Sequence, residues 1–552
     1  MVSEKSKEDS IQPVPLSDGD VEVLCEEAVV AGDGSIRSEE RVIHYVKGYR
    51  YWAINFVIAS MSFLTTMDMT IAATALVSIT DNLGKFEDAS WILTSYFLGY
   101  VAVIVILAKF SDIFGRKLIT IISIIAFTVF SAGCAAAQTT TQLIILRAFQ
   151  GVGGGGSFAM CATLLIESEP PEKYADAVTR IGVAIVLALV LGPLLGGAIS
   201  ENTTWRWIFL INLPIGALAL VIALVGIPKG FPYSNQPQIS ARSKNVWKRV
   251  DVPGAALMLL ATLAFAACFQ EAGSRFPWKS AYVITLLIVS AVLWICLMVW
   301  ERYVTLENAI REPVLPWRFF TNRSTLGLFI CIILVGAPVA VTNFQLPQRF
   351  ILINGLSSFD SAIRIIPFGA SSAFGTMLSG KLISKLRVPS IYLILVGAVL
   401  QVIGFALLGT LNDSRTIQKS VYGYQVLAGL GCAFSFSNLL LLVAFTAEKR
   451  DGAVAMGTAN QFRALGSAVG LAIVTSVFNN YVGSHLPQLN LRDPAAAIAP
   501  SHSQLPLETQ YQIRKILSGG YNRQMLTLCA LGAAQVPAAL LMWRREQVVA
   551  AK

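Results

Sequence analysis

Two charged side chains stand inside long apolar segments of this chain. Asp68 lies in the run MDMTIAATAL, and Arg147 lies in the run LRAFQG. If such segments cross a bilayer, a charge at their centre costs roughly 2.5–3.5 kcal/mol even on insertion scales, so each residue is a candidate for function. Burial disfavours a charged carboxylate, which suits Asp68 to take up and release a proton. Arg147 stays charged, and we predict that it tunes a nearby acid or polarises a proton relay. The competing interpretation is that Asp68 is wetted and merely structural, near the outer mouth of its segment.

Fourteen apolar segments account for most of the chain. The 552 residues are 55% hydrophobic and only 14% charged, which is more hydrocarbon than a soluble fold can hide. About 20 apolar residues cross the ~30 Å bilayer core as a helix, and helices are required because lipid offers the backbone no hydrogen-bond partner. We therefore predict an all-α integral membrane protein with transmembrane helices at 52–76, 91–109, 118–137, 142–166, 178–200, 207–227, 253–271, 281–300, 325–346, 361–384, 391–410, 421–446, 461–481 and 524–543.

The loop charges predict how these helices are oriented. The net charge of +9 resides in the connections and indicates topology rather than nucleic-acid binding. Lysine and arginine concentrate in the even-numbered connections, whereas the odd-numbered connection 138–141 has none. Positive loops stay inside, which places both termini in the cytoplasm. The sequons at Asn202 and Asn412 then face outside, where glycosylation is possible.

A weak internal repeat divides the chain into halves. The stretch around 108–119 resembles that around 380–391, and 150–155 resembles 428–433, as expected for two halves repeated in the same orientation. The predicted layout is six helices, two inserted helices and six helices. In full, it comprises a disordered cytoplasmic tail without a signal peptide (1–50), an N-terminal six-helix bundle (51–228), a basic linker with the two inserted helices (229–324), a C-terminal six-helix bundle (325–543) with a long outer loop (482–523), and a cytoplasmic tail (544–552).

The connection after the second segment contains a compact cluster of acidic, glycine and basic residues. It includes Asp112, Gly115, Arg116 and Lys117. At a helix end, Asp112 can accept hydrogen bonds from backbone amides and pair with Arg116. Such a cluster would latch the two halves together and break when they separate. A tight turn with positive φ would require the glycine at Gly115. A merely solvated loop is the alternative.

The fifth segment contains the sequence Gly192-Pro193-Leu-Leu-Gly196-Gly197. Proline removes one helical hydrogen bond and glycine thins the helix, so we predict a hinge against a neighbouring helix, with simple packing as the competitor.

These motifs together resemble the 14-span drug:proton antiporter family of the major facilitator superfamily, in its fungal toxin and multidrug efflux branch. The resemblance rests on five motifs in register: the run after Asp68, the loop 108–117, the run RAFQGVG from Arg147, the Gly-Pro motif, and the run 205–216 at the start of the sixth span. It covers essentially the chain from residue 50. Departures from the pattern include Ala188, where the fifth-span motif usually has glycine.

The resemblance implies a major facilitator fold and proton-coupled export of a small molecule by alternating access. It implies proton coupling at Asp68 and Arg147, gating by the 112–117 loop, and a fungal secondary metabolite or toxin as cargo. The plasma membrane is the expected location and a monomer the expected state. Alternatives are a vacuolar transporter of basic amino acids or a siderophore carrier of the same fold at the vacuolar membrane, and a non-transporting membrane sensor.

Neutral amides and aromatic rings supply the candidate substrate cavity, which suits an amphipathic, drug-sized molecule. The cavity candidates are Tyr96, Gln150, Asn343, Phe344, Gln345, Phe436 and Asn438. No enzyme, metal site or cofactor is expected, because the cysteines and histidines show no ligand spacing. The glycine run 151–156 lacks the Gly-Lys-Ser/Thr of a phosphate loop, and no segment is long enough for an ATPase domain, so we expect no nucleotide and no ATPase subunit.

Overall fold

The protein is described by a computed structural model that covers residues 21–30, 36–83, 89–232, 249–273, 276–306, 311–447, 451–485 and 506–544. Outside one hairpin, the regular structure in these ranges is helical. In the hairpin, β1 (Val21–Val30) pairs antiparallel with β2 (Ile36–Tyr45). This pairing differs from the predicted disordered tail, since both segments contain β-branched valine or isoleucine residues, which favour strands.

The N-terminal bundle contains α1 (Gly48–Thr74), α2 (Leu76–Leu83), α3 (Ala89–Phe114), α4 (Arg116–Ala136), α5 (Thr140–Glu167), α6 (Tyr174–Asn202), α7 (Trp207–Leu210) and α8 (Asn212–Gly226). The inserted pair is α9 (Val252–Glu271) and α10 (Ala281–Leu306). The C-terminal bundle contains α11 (Arg318–Thr321), α12 (Arg323–Asn354), α13 (Ser358–Ile363), α14 (Ile366–Ser384), α15 (Ser390–Leu408), α16 (Ser420–Thr446), α17 (Gly452–His485) and α18 (Leu507–Leu541). A 3₁₀ turn precedes α6.

Thirteen helices in the described part are long and apolar enough to cross a membrane. With α14 they make the fourteen predicted spans, since α14 packs among them but is richer in serine and glycine. The predicted outer loop 482–523 is shorter than expected. Helix α17 continues to His485 and α18 begins at Leu507, because Val482, Ile513 and Tyr521 pack together beyond the predicted ends.

The two bundles repeat the same packing. In the N-terminal bundle α1 packs on α6, α3 on α5 and α4 on α5, and in the C-terminal bundle α12 packs on α17, α14 on α16 and α15 on α16. These are the pairs that a parallel repeat relates. The connection of α3 to α4 and the other basic connections lie at one end of the molecule, here called the basic end. Exposed apolar residues such as Val292, Ile295 and Val299 cover the outer face of α10, as suits a surface in contact with lipid.

The bundles meet along two seams. In the α6–α14 seam, a Cβ added at Gly182, Gly369 or Gly380 would lie 2.7, 2.3 or 2.2 Å from a side chain of the other helix. In the α3–α17 seam, Gln461 accepts a hydrogen bond from the Val105 backbone at 3.3 Å. The same Gln461 donates to Thr262 of α9 at 2.8 Å. The inserted pair is therefore bonded to the seam itself, and α9 packs on both α3 and α17.

Candidate functional site

Asp68 lies in the middle of the N-terminal bundle, where it forms an ion pair with Arg147. Both side chains are buried, with 0% of Asp68 and 1% of Arg147 exposed. Gln150 and Asn212 each donate to Asp68 Oδ1 at 3.0 Å. Gln150 also donates to Ser131 Oγ at 2.8 Å. Helices α1, α4, α5 and α8 thus converge on one polar cluster, in which three donors bind the Asp68 carboxylate.

Arg147 is fixed on every side. Its Nη1 donates to Gln150 Oε1 at 2.9 Å, and its Nε donates to the carbonyl of Ile92 at 3.3 Å. The guanidinium carbon lies 4.2 Å from the ring centre of Tyr96 and 5.5 Å from that of Phe209. An arginine placed over aromatic faces with its donors satisfied is a stable buried cation.

The two sequence-predicted coupling residues are therefore in direct contact. Two residues that we predicted to line a substrate cavity, Tyr96 and Gln150, are buried in this same cluster. Sequence reasoning missed Asn212 and Ser131. Asn212 lies in the run 205–216 that carried the family resemblance, and an amide inside an apolar segment was the available signal.

The Gly-Pro motif of α6 packs directly on the helix that carries Asp68. A Cβ at Gly192 would lie 1.9 Å from Thr70 Oγ1, and one at Gly196 would lie 2.0 Å from the hydroxyl of Thr74. Nothing lies within 4 Å of a Cβ at Gly197. Helix α6 runs without interruption through Pro193. The glycines thus set the distance between α1 and α6 beside the buried ion pair.

We expect Gly192→Ala to destabilise the protein by about 1–3 kcal/mol, because the added methyl group overpacks the contact with α1. The measurement is thermal unfolding of the purified protein in detergent. Gly197→Ala is the matched control and should unfold as the wild type does. Equal unfolding temperatures for the two variants would contradict the close approach.

The loop cluster closes on itself within the N-terminal bundle. Arg116 binds Asp112 Oδ1 at 2.5 Å and Glu167 Oε1 at 2.6 Å. Gly115 has a φ of +96°, which explains the glycine. Lys117 Nζ binds the carbonyl oxygens of residues 224 and 227 at 2.6 and 2.7 Å, capping the end of α8. The predicted pair of Asp112 and Arg116 is present, and the unpredicted partner is Glu167.

The predicted latch between the halves therefore does not run through Asp112, whose second oxygen has no hydrogen-bond partner among the described residues. A contact from α3 to the segment that joins the inserted pair to the C-terminal bundle is instead made at Glu312. Lys109 Nζ lies 2.6 Å and Arg249 Nη2 2.5 Å from the Glu312 carboxylate. Burial alone would raise the pKa of Glu312, but the two cations outweigh it and hold that pKa below its ordinary value of 4.5.

Because this pKa is depressed in the folded state, the ion pairs stabilise the fold above pH 4.5, and their contribution is lost as the pH falls through the folded pKa. We expect Glu312→Gln to lower the Tm near neutral pH by about 1 °C, for roughly 1 kcal/mol. The difference from the wild type should shrink below pH 4.5. Thermal unfolding across pH measures it, with Glu172→Gln, an exposed residue at the same end, as the control. A difference independent of pH would refute the electrostatic account.

The other cavity candidates lie in the C-terminal bundle and have varied surroundings. Asn343 donates to its own helix, at the Val339 carbonyl, over 2.8 Å. Asn438 is fully buried and donates to Ser379 Oγ at 2.7 Å. Phe344 and Phe436 are partly buried, and Gln345 is 9% exposed. Phe436 lies beside Arg463, a charge in the thirteenth span that sequence reasoning missed.

Both sequon asparagines, Asn202 and Asn412, are exposed at the end of the molecule opposite the basic end. Within the described residues, no group of three or more histidine, cysteine, aspartate or glutamate side chains could hold a metal ion.

This chain is similar in sequence or in fold to several known proteins. The MFS-type transporter FPY5 of Fusarium mangiferae is 36% identical over 533 residues, which cover 96% of this chain and 89% of that protein. The MFS-type efflux pump LUC4 of a Fusarium species is 31% identical and covers 80% of this chain and 77% of that protein. The solved structure of the proton:xylose symporter XylE superposes with a TM-score of 0.56 over 89% of this chain and 95% of that chain. At 14% identity, that likeness concerns the fold alone.

A family model described as Major Facilitator Superfamily matches residues 58–471, a stretch that contains the buried ion pair, the loop cluster and most helices of both bundles. With two repeated bundles around two seams, and relatives that share most of its length, the chain belongs to the Major Facilitator Superfamily.

Proposed function

We propose that this transporter is a proton-coupled exporter of a drug-like small molecule, a fungal secondary metabolite or toxin, working by alternating access at the plasma membrane. Both termini lie in the cytoplasm in this proposal, and the functional unit is a monomer. The relatives named as transporter and efflux pump support the direction. The observation that carries the proposal is the buried pair of Asp68 and Arg147.

A buried carboxylate with a single arginine partner is a two-state element. As an anion, Asp68 holds Arg147, Gln150 and Asn212 around it. Proton uptake neutralises the acid and removes the charge that binds these donors, so the convergence of α1, α5 and α8 weakens. Arg147 keeps its charge and remains over the Tyr96 ring. The proton therefore changes which helices are held together in the N-terminal bundle.

The packing of α6 offers a route from this pair to the seam between bundles. On one side, Gly192 of α6 fits against Thr70 of α1, two residues from Asp68. On another side, Val190 of the same helix contacts Gly369 of α14. In the proposal, a shift of α1 on protonation moves α6, and α6 displaces the C-terminal bundle.

The conformation fits a state closed at the basic end. There, Ala108 of α3 lies close enough to Gly457 of α17 that a Cβ on the glycine would be 2.9 Å away. Tyr174 and Phe445 contact with ring centres 5.6 Å apart, and Lys109 binds Glu312. With the basic end in the cytoplasm, this is an outward-facing or occluded stage of the cycle, and these contacts must break for substrate to enter from inside.

The driving force is sufficient. One proton yields ~2.3 kcal/mol per 100 mV and ~1.4 kcal/mol per pH unit. With 100 mV and one pH unit, a neutral substrate could be concentrated roughly several hundredfold, at about 1.4 kcal/mol per tenfold.

Efflux from preloaded cells expressing the protein, with and without a protonophore, tests the proposal. The probes are two fluorescent xenobiotics, neutral Nile red and anionic fluorescein, beside empty-vector cells. Efflux that requires the protein and stops with the protonophore supports an exporter driven by protons. Protein-dependent efflux that continues unchanged would refute the coupling, and protein-dependent accumulation would refute the direction.

A further inference from the structure

Arg463 is a charged residue in the first half of α17 that the proposed coupling does not use. Its guanidinium carbon lies 5.8 Å from the ring centre of Phe158 in α5 and 5.3 Å from that of Phe436 in α16. Phe158 belongs to the N-terminal bundle and Phe436 to the C-terminal bundle. The cation is therefore placed between the bundles, with one aromatic ring from each beside it.

No acid in the described part of the chain neutralises this cation. Arg463 takes part in none of the ion pairs there, and its Nε is buried with no hydrogen-bond partner. Asp68 and Arg147, by contrast, are matched one to one. Aromatic faces offset part of the cost of burying a guanidinium, but they accept no N–H bond in its plane. The fork of donors is left for an acceptor that the described residues do not supply.

The surroundings of Arg463 define the shape of such an acceptor. The ring of Tyr100 lies 6.0 Å from that of Phe158, which extends the aromatic surface into the N-terminal bundle. Arg463 as a residue remains partly exposed. Its guanidinium lies between rings of both bundles, and alternating access would bring a substrate between the bundles.

We propose that Arg463 is an anion-binding group of the substrate site, and that the cargo is an organic anion with a flat apolar body carrying a carboxylate. The guanidinium binds the carboxylate with two donors, and Phe158 and Phe436 contact the apolar body. The inference rests on the proposed export function. It narrows the amphipathic, drug-sized cargo expected from the amides and rings, and it disfavours basic amino acids, because a fixed cation repels their net positive charge.

The charge of the cargo changes the energetics of the cycle. Exchange of one entering proton for one departing monovalent anion moves two positive charges inward in effect. An interior-negative membrane potential then drives both movements, and transport becomes electrogenic.

The test measures the dissociation constants of three aromatic carboxylates and of their neutral amides for the purified full-length protein in detergent. The pairs are 2-naphthoate and 2-naphthamide, 1-pyrenecarboxylate and its amide, and biphenyl-4-carboxylate and its amide. For at least one pair we expect the acid to bind at least about tenfold tighter than the amide in the wild type, and Arg463→Gln to abolish that preference. Arg463→Lys should retain part of it, because a point charge remains without the fork. The control is Arg364→Gln, which removes a charge from the connection between α13 and α14, away from Arg463. This variant should keep the wild-type preference for the acid over the amide.

Unfolding temperature and elution volume of each variant establish that the protein is folded. The inference is overturned if no acid binds tighter than its amide in the wild type, or if folded Arg463→Gln keeps the preference. Either outcome leaves the proton-coupled export proposal standing, because that proposal is decided by protonophore-sensitive efflux. Conversely, anion binding that depends on Arg463, together with efflux insensitive to the protonophore, would retain the site and reject the coupling.

Discussion

Asp68→Asn is expected to reduce proton-driven efflux by about 100-fold, the scale of losing a positioned proton-transfer group. The amide has nearly the same size, and its oxygen can still accept hydrogen bonds from Gln150 and Asn212, but it no longer provides a counter-ion for Arg147. It cannot bind or release a proton at the relevant pH. Loss of the counter-ion lowers the stability and abundance of the variant, so transport is compared per molecule in the membrane, where the variant should still bind substrate while no longer responding to the proton gradient.

The measurement is the initial rate of efflux in energised cells, normalised to the amount of protein in the membrane, with and without the protonophore. Asp81→Asn is the matched control, since Asp81 is an exposed carboxylate at the end of the short helix that follows α1. We expect its efflux to equal that of the wild type. Protonophore-sensitive efflux at the wild-type rate in Asp68→Asn would show that protons enter through another group.

Arg147→Leu is expected to destabilise the protein by about 3–5 kcal/mol, because it leaves the fully buried Asp68 carboxylate without its counter-ion. Two neutral donors remain on Asp68, and they offset only part of that loss. The large effect distinguishes this pair from ion pairs at the surface, which contribute about 0–1 kcal/mol.

Thermal unfolding of the purified variant in detergent measures the effect. The double variant Asp68→Asn/Arg147→Leu provides the control, because removing both charges leaves no isolated ion in the bundle. We expect it to recover most of the lost stability while remaining unable to couple transport to protons. If the double variant is as unstable as Arg147→Leu alone, the loss comes from the packing of the arginine over Tyr96 and Phe209 rather than from its charge.

Much of the fold follows from local sequence, because a bilayer allows few solutions. The apolar segments became helices, and positive φ at Gly115 explains its glycine. The ends of α17 and α18 were misjudged because hydropathy marks where a helix meets lipid, not where its hydrogen bonds end. The pair of Asp68 and Arg147 could be anticipated, since two opposite charges at bilayer depth must find partners.

The rest of the site could not be read from one sequence. Glu167 and Glu312 find their basic partners through the packing of helices that lie far apart in the chain. Gln150 could not be assigned to a cavity or to the bundle interior, because periodicity identifies a helical face but not the neighbour that covers it. Arg463 was overlooked because it lies close to the start of the predicted span 461–481, where a charge is expected to reach water. The helix in fact begins at Gly452, so Arg463 lies inside it.

The way α9 packs has a consequence for how molecules dissolved in the membrane reach the transporter. Helix α9 contacts both α3 and α17. At that seam, Gln461 of α17 forms hydrogen bonds with Val105 of α3 and with Thr262 of α9. On that flank, a lipid-soluble compound would have to displace a whole helix to slip in sideways. Across the α6–α14 seam, no helix from outside the two bundles makes comparable contacts in the described part of the chain. A compound recruited from the leaflet, rather than from water, would on that flank have to separate only α6 from α14, and labels that report lateral entry belong there.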